Sequence, residues 1–355
     1  MNTNGSTGRP ASILLLLLLL LVPERAFAQA WTGNGPNDNW STGANWAGGV
    51  APASSSGTVV TFLISPRMSP IVDVPWTINR MDLFSGVYTV TGQAITFAGA
   101  SPLLISSAQN HVVSAPLVIP TSLEIFTNVS LLTVSGGISG TGALSVNGIG
   151  AVRIEGVNTF SGGVSVVGGT ALLVVGSIPG PVTVGIAARV SGAFGTVGGD
   201  VIVQSTGYIA STSSYLALST GNLTIAGTAL VHIGGPAPGT QYGIINVTGT
   251  VNLTGGTLVL TGGHSPSPGQ VFTIITNDGG EPVTSTFAGL PEGGTVLLNG
   301  VPLRISYLGG TGNDVTLTAL GGAPPVSVPT LSQWSLLLLA TFVLGIGSLA
   351  SKRKR

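Results

Sequence analysis

Between residues 31 and 325, apolar and polar positions alternate, and no stretch repeats its apolar residues at helical spacing. Leu144-Ser145-Val146, Val152-Arg153-Ile154, Val164-Ser165-Val166, Leu223-Thr224-Ile225 and Val251-Asn252-Leu253 each put two aliphatics on one side of an extended strand and a polar residue on the other. Gly, Asn or Ser-Gly flanks these segments and supplies the positive φ and tight turns of sharp corners. Strands restart about every eight to ten residues. Two or three of them fill a period of about 20, which is the spacing of a solenoid. One such turn cannot bury its own apolar side, so neighbours must stack, with Val, Ile and Leu inward and Ser, Thr and Asn outward. At about 20–25 residues per turn and about 4.8 Å per stacked strand, the pattern predicts about a dozen turns and a rod of about 55–60 Å. A β-sandwich shows the same alternation and is the alternative for residues 265–320.

The most regular unit runs from Gly142-Ala143-Leu144-Ser145-Val146 through Asn158-Thr159-Phe160-Ser161-Gly162-Gly163 to Gly168-Gly169-Thr170-Ala171-Leu172. It resembles the autotransporter-associated β-strand repeat, and Gly255-Gly256-Thr257-Leu258 echoes its close. The resemblance implies an all-β, right-handed parallel β-helix.

The two ends read as addresses. Arg9, the apolar run Ile13 to Val22, Pro23 and the small-x-small pattern Ala26-Phe27-Ala28 before Gln29 have the layout of a secretory signal helix cut by signal peptidase. At the other end, Leu331 to Ala350 is about long enough for a membrane-spanning helix. Trp334 stands at its outer edge, and Lys352-Arg353-Lys354-Arg355 follows as a basic stop on the cytoplasmic side. The order Val328-Pro329-Thr330-Leu331, apolar span, basic tail resembles the IPTL-CTERM sorting signal, a relative of the PEP-CTERM signals of Gram-negative bacteria. Val328 stands where that family has isoleucine. The resemblance implies recognition by an exosortase-like membrane enzyme, transient anchoring through the C-terminal helix, and delivery to the surface or the extracellular space. The chain is therefore divided into a signal peptide (1–28), an N-terminal cap with the first turns (29–115), solenoid repeats (116–263), a terminal β unit (264–320), a Gly/Pro spacer (321–327) and the sorting signal (328–355).

Composition narrows the chemistry. The chain has no cysteine, which excludes disulfides and thiol or thiolate-metal chemistry. Only 6% of residues are charged, against about 25% in an ordinary soluble domain. The balanced overall charge hides a mildly acidic body. Between the two ends stand five arginines (Arg67, Arg80, Arg153, Arg189, Arg304), no lysine and ten acids, a net charge of −5. Such a body does not seek phosphate backbones, so no nucleic-acid partner is expected.

Four features could carry chemistry. Trp31, Trp40 and Trp46, interleaved with Asn34, Asn37, Asn39 and Asn45, could stack on sugar rings or could close the open end of the solenoid, and closure is the favoured reading. Gly309-Gly310-Thr311-Gly312-Asn313-Asp314 resembles one calcium-binding nonapeptide of the RTX type. It stands alone, with Thr316 where a large apolar residue belongs, and is read as a turn. His111, His232 and His264 have no ligand spacing and are expected in turns or at the surface. The acid pairs Asp73/Asp82 and Asp278/Glu281 are the remaining basis for catalysis, but lysine is absent from the body and the arginines are scattered. Neither a metal nor a cofactor is expected. The sequence thus points to a non-enzymatic, exported structural, matrix or adhesive solenoid, with extracellular glycan or further copies of itself as partners. A carbohydrate-active β-helix enzyme, a polysaccharide lyase or hydrolase, is the alternative.

Overall fold

The computed structural model describes residues 29–211 and 217–321. Among them the protein is all-β, with two single-turn 3₁₀ segments, Gly43–Asn45 and Ala47–Gly49, and no α-helix. No helix of the described residues is long and apolar enough to cross a membrane. The signal and C-terminal helices expected from the sequence lie outside the described residues.

The strands wind into a parallel β-solenoid with three faces. The chain visits the faces in fixed order, as in Arg80–Leu83, Thr89–Gly92 and Ile95–Phe97, before returning to the first face at Leu103–Ser107. Eleven parallel strands stack on the first face, from Gln29–Trp31 to Val251–Asn252. About eight regular turns make up the body. That is fewer than the dozen expected, because the division by period assigned every residue to a turn. Residues 32–58 instead form an N-terminal cap, and the chain after Asn277 leaves the winding.

Register explains why so plain a sequence specifies this winding. On the first face Leu123, Leu144, Val164, Val182, Val201, Leu223 and Val251 lie in one inward column, each partner directly over the last. All are buried. A second inward column runs through Ile125, Val146, Val166, Val184, Val203 and Ile225. Each fully buried aliphatic of this kind contributes about 1.5–3 kcal/mol. A slip of one residue would turn a whole column outward. Between the two lies the outward column Glu124, Ser145, Ser165, Thr183, Ile202, Thr224 and Asn252.

The corners set the strand ends. Between the first and second faces the backbone enters the left-handed region. Glycine serves at Gly168 (φ 73°), but Ala108 (67°), Val129 (53°) and Ala187 (55°) adopt it with side chains. A β-branched residue there is strained.

The terminal unit is not a β-sandwich. Val271–Asn277 continues the third-face stack, pairing parallel with Ile244–Val247 through Ile245 and Ile275. Its other edge pairs antiparallel with Asp314–Ala319, which pairs with Val301–Gly309, which pairs with Thr295–Leu298. A single sheet results, continuous with the third face of the solenoid. The antiparallel strands use up the open edge of the third face, which stops further parallel addition there.

Candidate functional surfaces

The N-terminal tryptophans form an aromatic plug. Trp31, Trp40 and Trp46 are 2%, 0% and 2% exposed, so they offer no indole face to a sugar ring. This corrects their candidacy as a glycan platform. Trp46 stands edge-on to both Trp31 and Trp40, with ring centroids 5.2 and 5.8 Å away. Phe62 and Trp76 complete the cluster beneath. The indole N–H of Trp31 donates to Arg67 O (2.9 Å), and that of Trp46 to Trp40 O (2.7 Å). Asn45 is wholly buried and ties the cap together. Its Oδ1 accepts from Gly35 N (2.8 Å), and its Nδ2 donates to Asn37 O and Asn39 O. Asn45 and Asn37, whose Oδ1 accepts from Asn39 N and Thr42 Oγ1, are thus explained by loop hydrogen bonding. Around them Arg67 pairs with Asp38 at 2.8 Å, and Asp73 accepts from Ser41 N and Ser41 Oγ. Burial pushes the Asp73 carboxyl up, but the hydrogen bonds from Ser41 outweigh it and hold the group below the usual carboxylate range.

The repeat motif around Asn158 is also structural. Asn158 is buried and joins three successive turns. Its Oδ1 accepts from Ile138 N of the turn before (2.7 Å), and its Nδ2 donates to Ser177 O of the turn after (2.7 Å). Phe160 fills the core, and a Cβ at Gly162 would collide with Gly142 O. The asparagine therefore does for the third face what a strand does in neighbouring turns, and of Asn158 to Gly163 only Thr159 and Ser161 are exposed.

His111 departs from the surface position expected of it: it is fully buried beside Tyr88. The Tyr88 N–H can only donate, so Nδ1 is the acceptor (3.3 Å), and the proton on Nε2 points to Ser107 O (3.3 Å). Both ring nitrogens are satisfied in the neutral form. Burial pushes the imidazole below its ordinary value, against smaller upward contributions from hydrogen bonds to Ser107 and Leu83. His232 touches Thr261, and His264 touches Gln270. No histidine joins a metal cluster, and no group of three His, Cys, Asp or Glu suited to a metal forms among the described residues.

Asp73 and Asp82, one of the expected acid pairs, are each held by a different partner. Asp82 is buried and bound to Arg80 (2.7 Å), while Asp73 belongs to the cap. Arg153 pairs with Glu155 within its own strand corner (2.6 Å). The described ion pairs are thus local and spread along the rod. The segment Gly309 to Asp314 forms the turn joining the last two antiparallel strands. Its side chains reach the neighbouring turn: Asn313 Nδ2 donates to Gly279 O and Glu281 O, and Asp314 Oδ1 accepts from Asn277 N (2.9 Å).

Exposed apolar side chains such as Val129, Ile149, Ile186 and Phe194 stand at corners and bends, whereas the middle of the first face is a small-residue polar surface. On the first face Ser122, Ser145, Ser165 and Thr183, with Ala143, Gly163 and Pro181 between them, line a shallow depression of about 270 Å³ that contains no charged residue. The cleavage-site residues Ala26 and Ala28 lie outside the described residues, as do the sorting-signal residues Val328, Pro329, Thr330, Leu331, Trp334, Lys352, Arg353, Lys354 and Arg355. Gln29 opens the first strand and pairs with Val60. Sequence reasoning missed the structural asparagines Asn45 and Asn158, whose only signal is an amide beside a glycine-rich corner. Comparison with protein families, curated proteins and solved structures finds no match for this chain.

Proposed function

We propose that this chain is an exported, surface-sorted β-solenoid that works as a structural, matrix or adhesive element and is processed at its C-terminal signal by an exosortase-like enzyme. The observation that carries the reading is the outer surface of the described winding. Stacked Ser, Thr and Asn positions recur at the strand spacing, while Arg67, Arg80 and Arg153 are each held in a separate ion pair with Asp38, Asp82 and Glu155. A ladder of hydroxyls about 4.8 Å apart suits many weak hydrogen bonds to an extended polymer, each contributing about 0.5–1.5 kcal/mol. Export and sorting rest on the order of signal run, apolar span and basic tail in the sequence. In this reading the aromatic plug and the terminal antiparallel sheet protect the ends, so that the rod acts through its sides.

The side-on mode is tested by co-sedimentation with insoluble polysaccharides, with sedimentation velocity of the protein alone alongside. Serial replacement of Ser145, Ser165 and Thr183 by alanine is expected to weaken glycan retention or self-association in steps, with the fold unchanged by circular dichroism. Retention and association unaffected by the triple variant would refute this face as the working surface.

A further inference from the structure

We propose that the paired turns 277–281 and 310–314 bind a calcium ion, with Asn277 Oδ1, a carboxylate oxygen of Glu281 and Asp314 Oδ2 as protein ligands. The starting observation is an orphan. Asn277 is 2% exposed, and its Nδ2 donates to Glu281 O (2.9 Å), yet its Oδ1 is buried without any hydrogen-bond partner. A buried amide oxygen left unpaired costs stability unless something positive meets it. The nearby main-chain oxygens are already served, since Asn313 Nδ2 donates to both Gly279 O and Glu281 O.

Two glycines make room for two carboxylates on the turns that meet at Asn277. A Cβ built on Gly279 would overlap Glu281 Oε2 and would lie 3.8 Å from Asn277 Oδ1, so the carboxylate and the orphan oxygen converge over the same bare Cα. On the facing turn, Gly310 has φ 56°, and a Cβ there would overlap Asp314 Oδ2. The other oxygen of Asp314 is held by Asn277 N, which fixes that carboxylate against the orphan residue. The same two turns border an open depression of about 280 Å³, lined by Gly279, Gly280, Pro282, Thr311, Gly312 and Asn313.

Donor chemistry selects the ion. The donors are all oxygen, two anionic and one neutral, on turns rather than in a rigid cage. Calcium takes 6–8 oxygen ligands in flexible geometry, whereas magnesium requires a near-ideal small octahedron. Transition metals favour nitrogen and sulfur ligands that these turns lack. With only two carboxylates the affinity belongs in the weak class of extracellular modules, at about 10⁻⁴–10⁻³ M.

The test is the thermal midpoint of the full-length protein, dialysed against chelator and titrated with CaCl₂ at constant ionic strength. The expected result is a saturable rise, half-complete at about 0.1–1 mM, with equimolar MgCl₂ giving less than half of it. Glu281→Gln and Asp314→Asn each preserve shape, and the asparagine can still accept from Asn277 N. Each should move the half-saturation point at least about tenfold upward, the loss expected of one of few anionic ligands. Asp278→Asn, an exposed neighbour outside the ligand set, removes a nearby charge but no ligand, and should move the half-saturation point clearly less than either ligand variant. No saturable calcium effect up to about 10 mM, ten times the weakest affinity of this class, would overturn the proposal. So would a titration unchanged in Glu281→Gln, or one lost equally in Asp278→Asn, which would indicate diffuse charge screening alone.

Discussion

Replacing Asn158 with alanine tests most sharply how one turn is fastened to the next. The side chain satisfies Ile138 N and Ser177 O at 2.7 Å each, and a weaker contact reaches Glu155 O at 3.3 Å. With the residue buried, Asn158→Ala leaves one donor and one acceptor without partners. Each costs about 1–3 kcal/mol, so the expected loss is about 2–6 kcal/mol. Asn158→Leu separates this cause from packing. Leucine restores the volume but no partner, so it should rescue little. Because repeat arrays can unfold in segments, the loss is best read locally by hydrogen exchange as well as by urea unfolding. The Ile138 amide should exchange at least about 30-fold faster, the equivalent of about 2 kcal/mol. A loss below about 1 kcal/mol, an undisturbed Ile138 amide or full rescue by leucine would refute the reasoning.

Two further outcomes follow from buried or strained positions. Burial lowers the His111 imidazole below its unfolded value of about 6.5. As pH falls below about 6.5 the unfolded chain takes up a proton that the folded chain refuses, and stability should fall by up to about 1.4 kcal/mol per pH unit until the lowered folded value is reached. His111→Gln should flatten that slope in urea titrations between pH 7 and 5, and an unchanged slope would contradict the buried neutral imidazole. Val129 is 75% exposed and held at φ 53°. Val129→Gly should relieve about 1–2 kcal/mol of strain against about 0.5–1 kcal/mol of added chain entropy, a net gain of up to about 1.5 kcal/mol in stability by urea unfolding. A net loss would show that the valine contributes contacts that outweigh its strain.

The solenoid was legible because parallel stacking preserves a simple rule. Val164-Ser165-Val166 alternates in sequence and therefore alternates in space, and the turns above and below obey the same register. The close of the repeat was legible too: Gly168-Gly169-Thr170 and Gly255-Gly256-Thr257 both turn into second-face strands, Ala171–Val174 and Thr257–Thr261. What hid was whatever depends on neighbours remote in sequence. Nothing local marks Ala108, Val129 and Ala187 as left-handed, because glycine is the usual signal for that conformation. His111 looks like any strand-edge histidine until Tyr88, 23 residues earlier, supplies the N–H for its ring. The orphan oxygen of Asn277 depends on turns more than 30 residues apart. The tryptophans illustrate the same limit, since indoles amid asparagines describe a sugar platform and a buried plug equally well until burial decides between them.

Export of the rod and its release from a sorting signal are tested most directly by the intact mass of the native protein recovered from the cell surface and the medium. The prediction is a species lacking residues 1–28 and the segment after about Leu331. A mass that keeps the C-terminal apolar span would contradict sorting, and a full-length species confined to the cytoplasm would contradict export altogether.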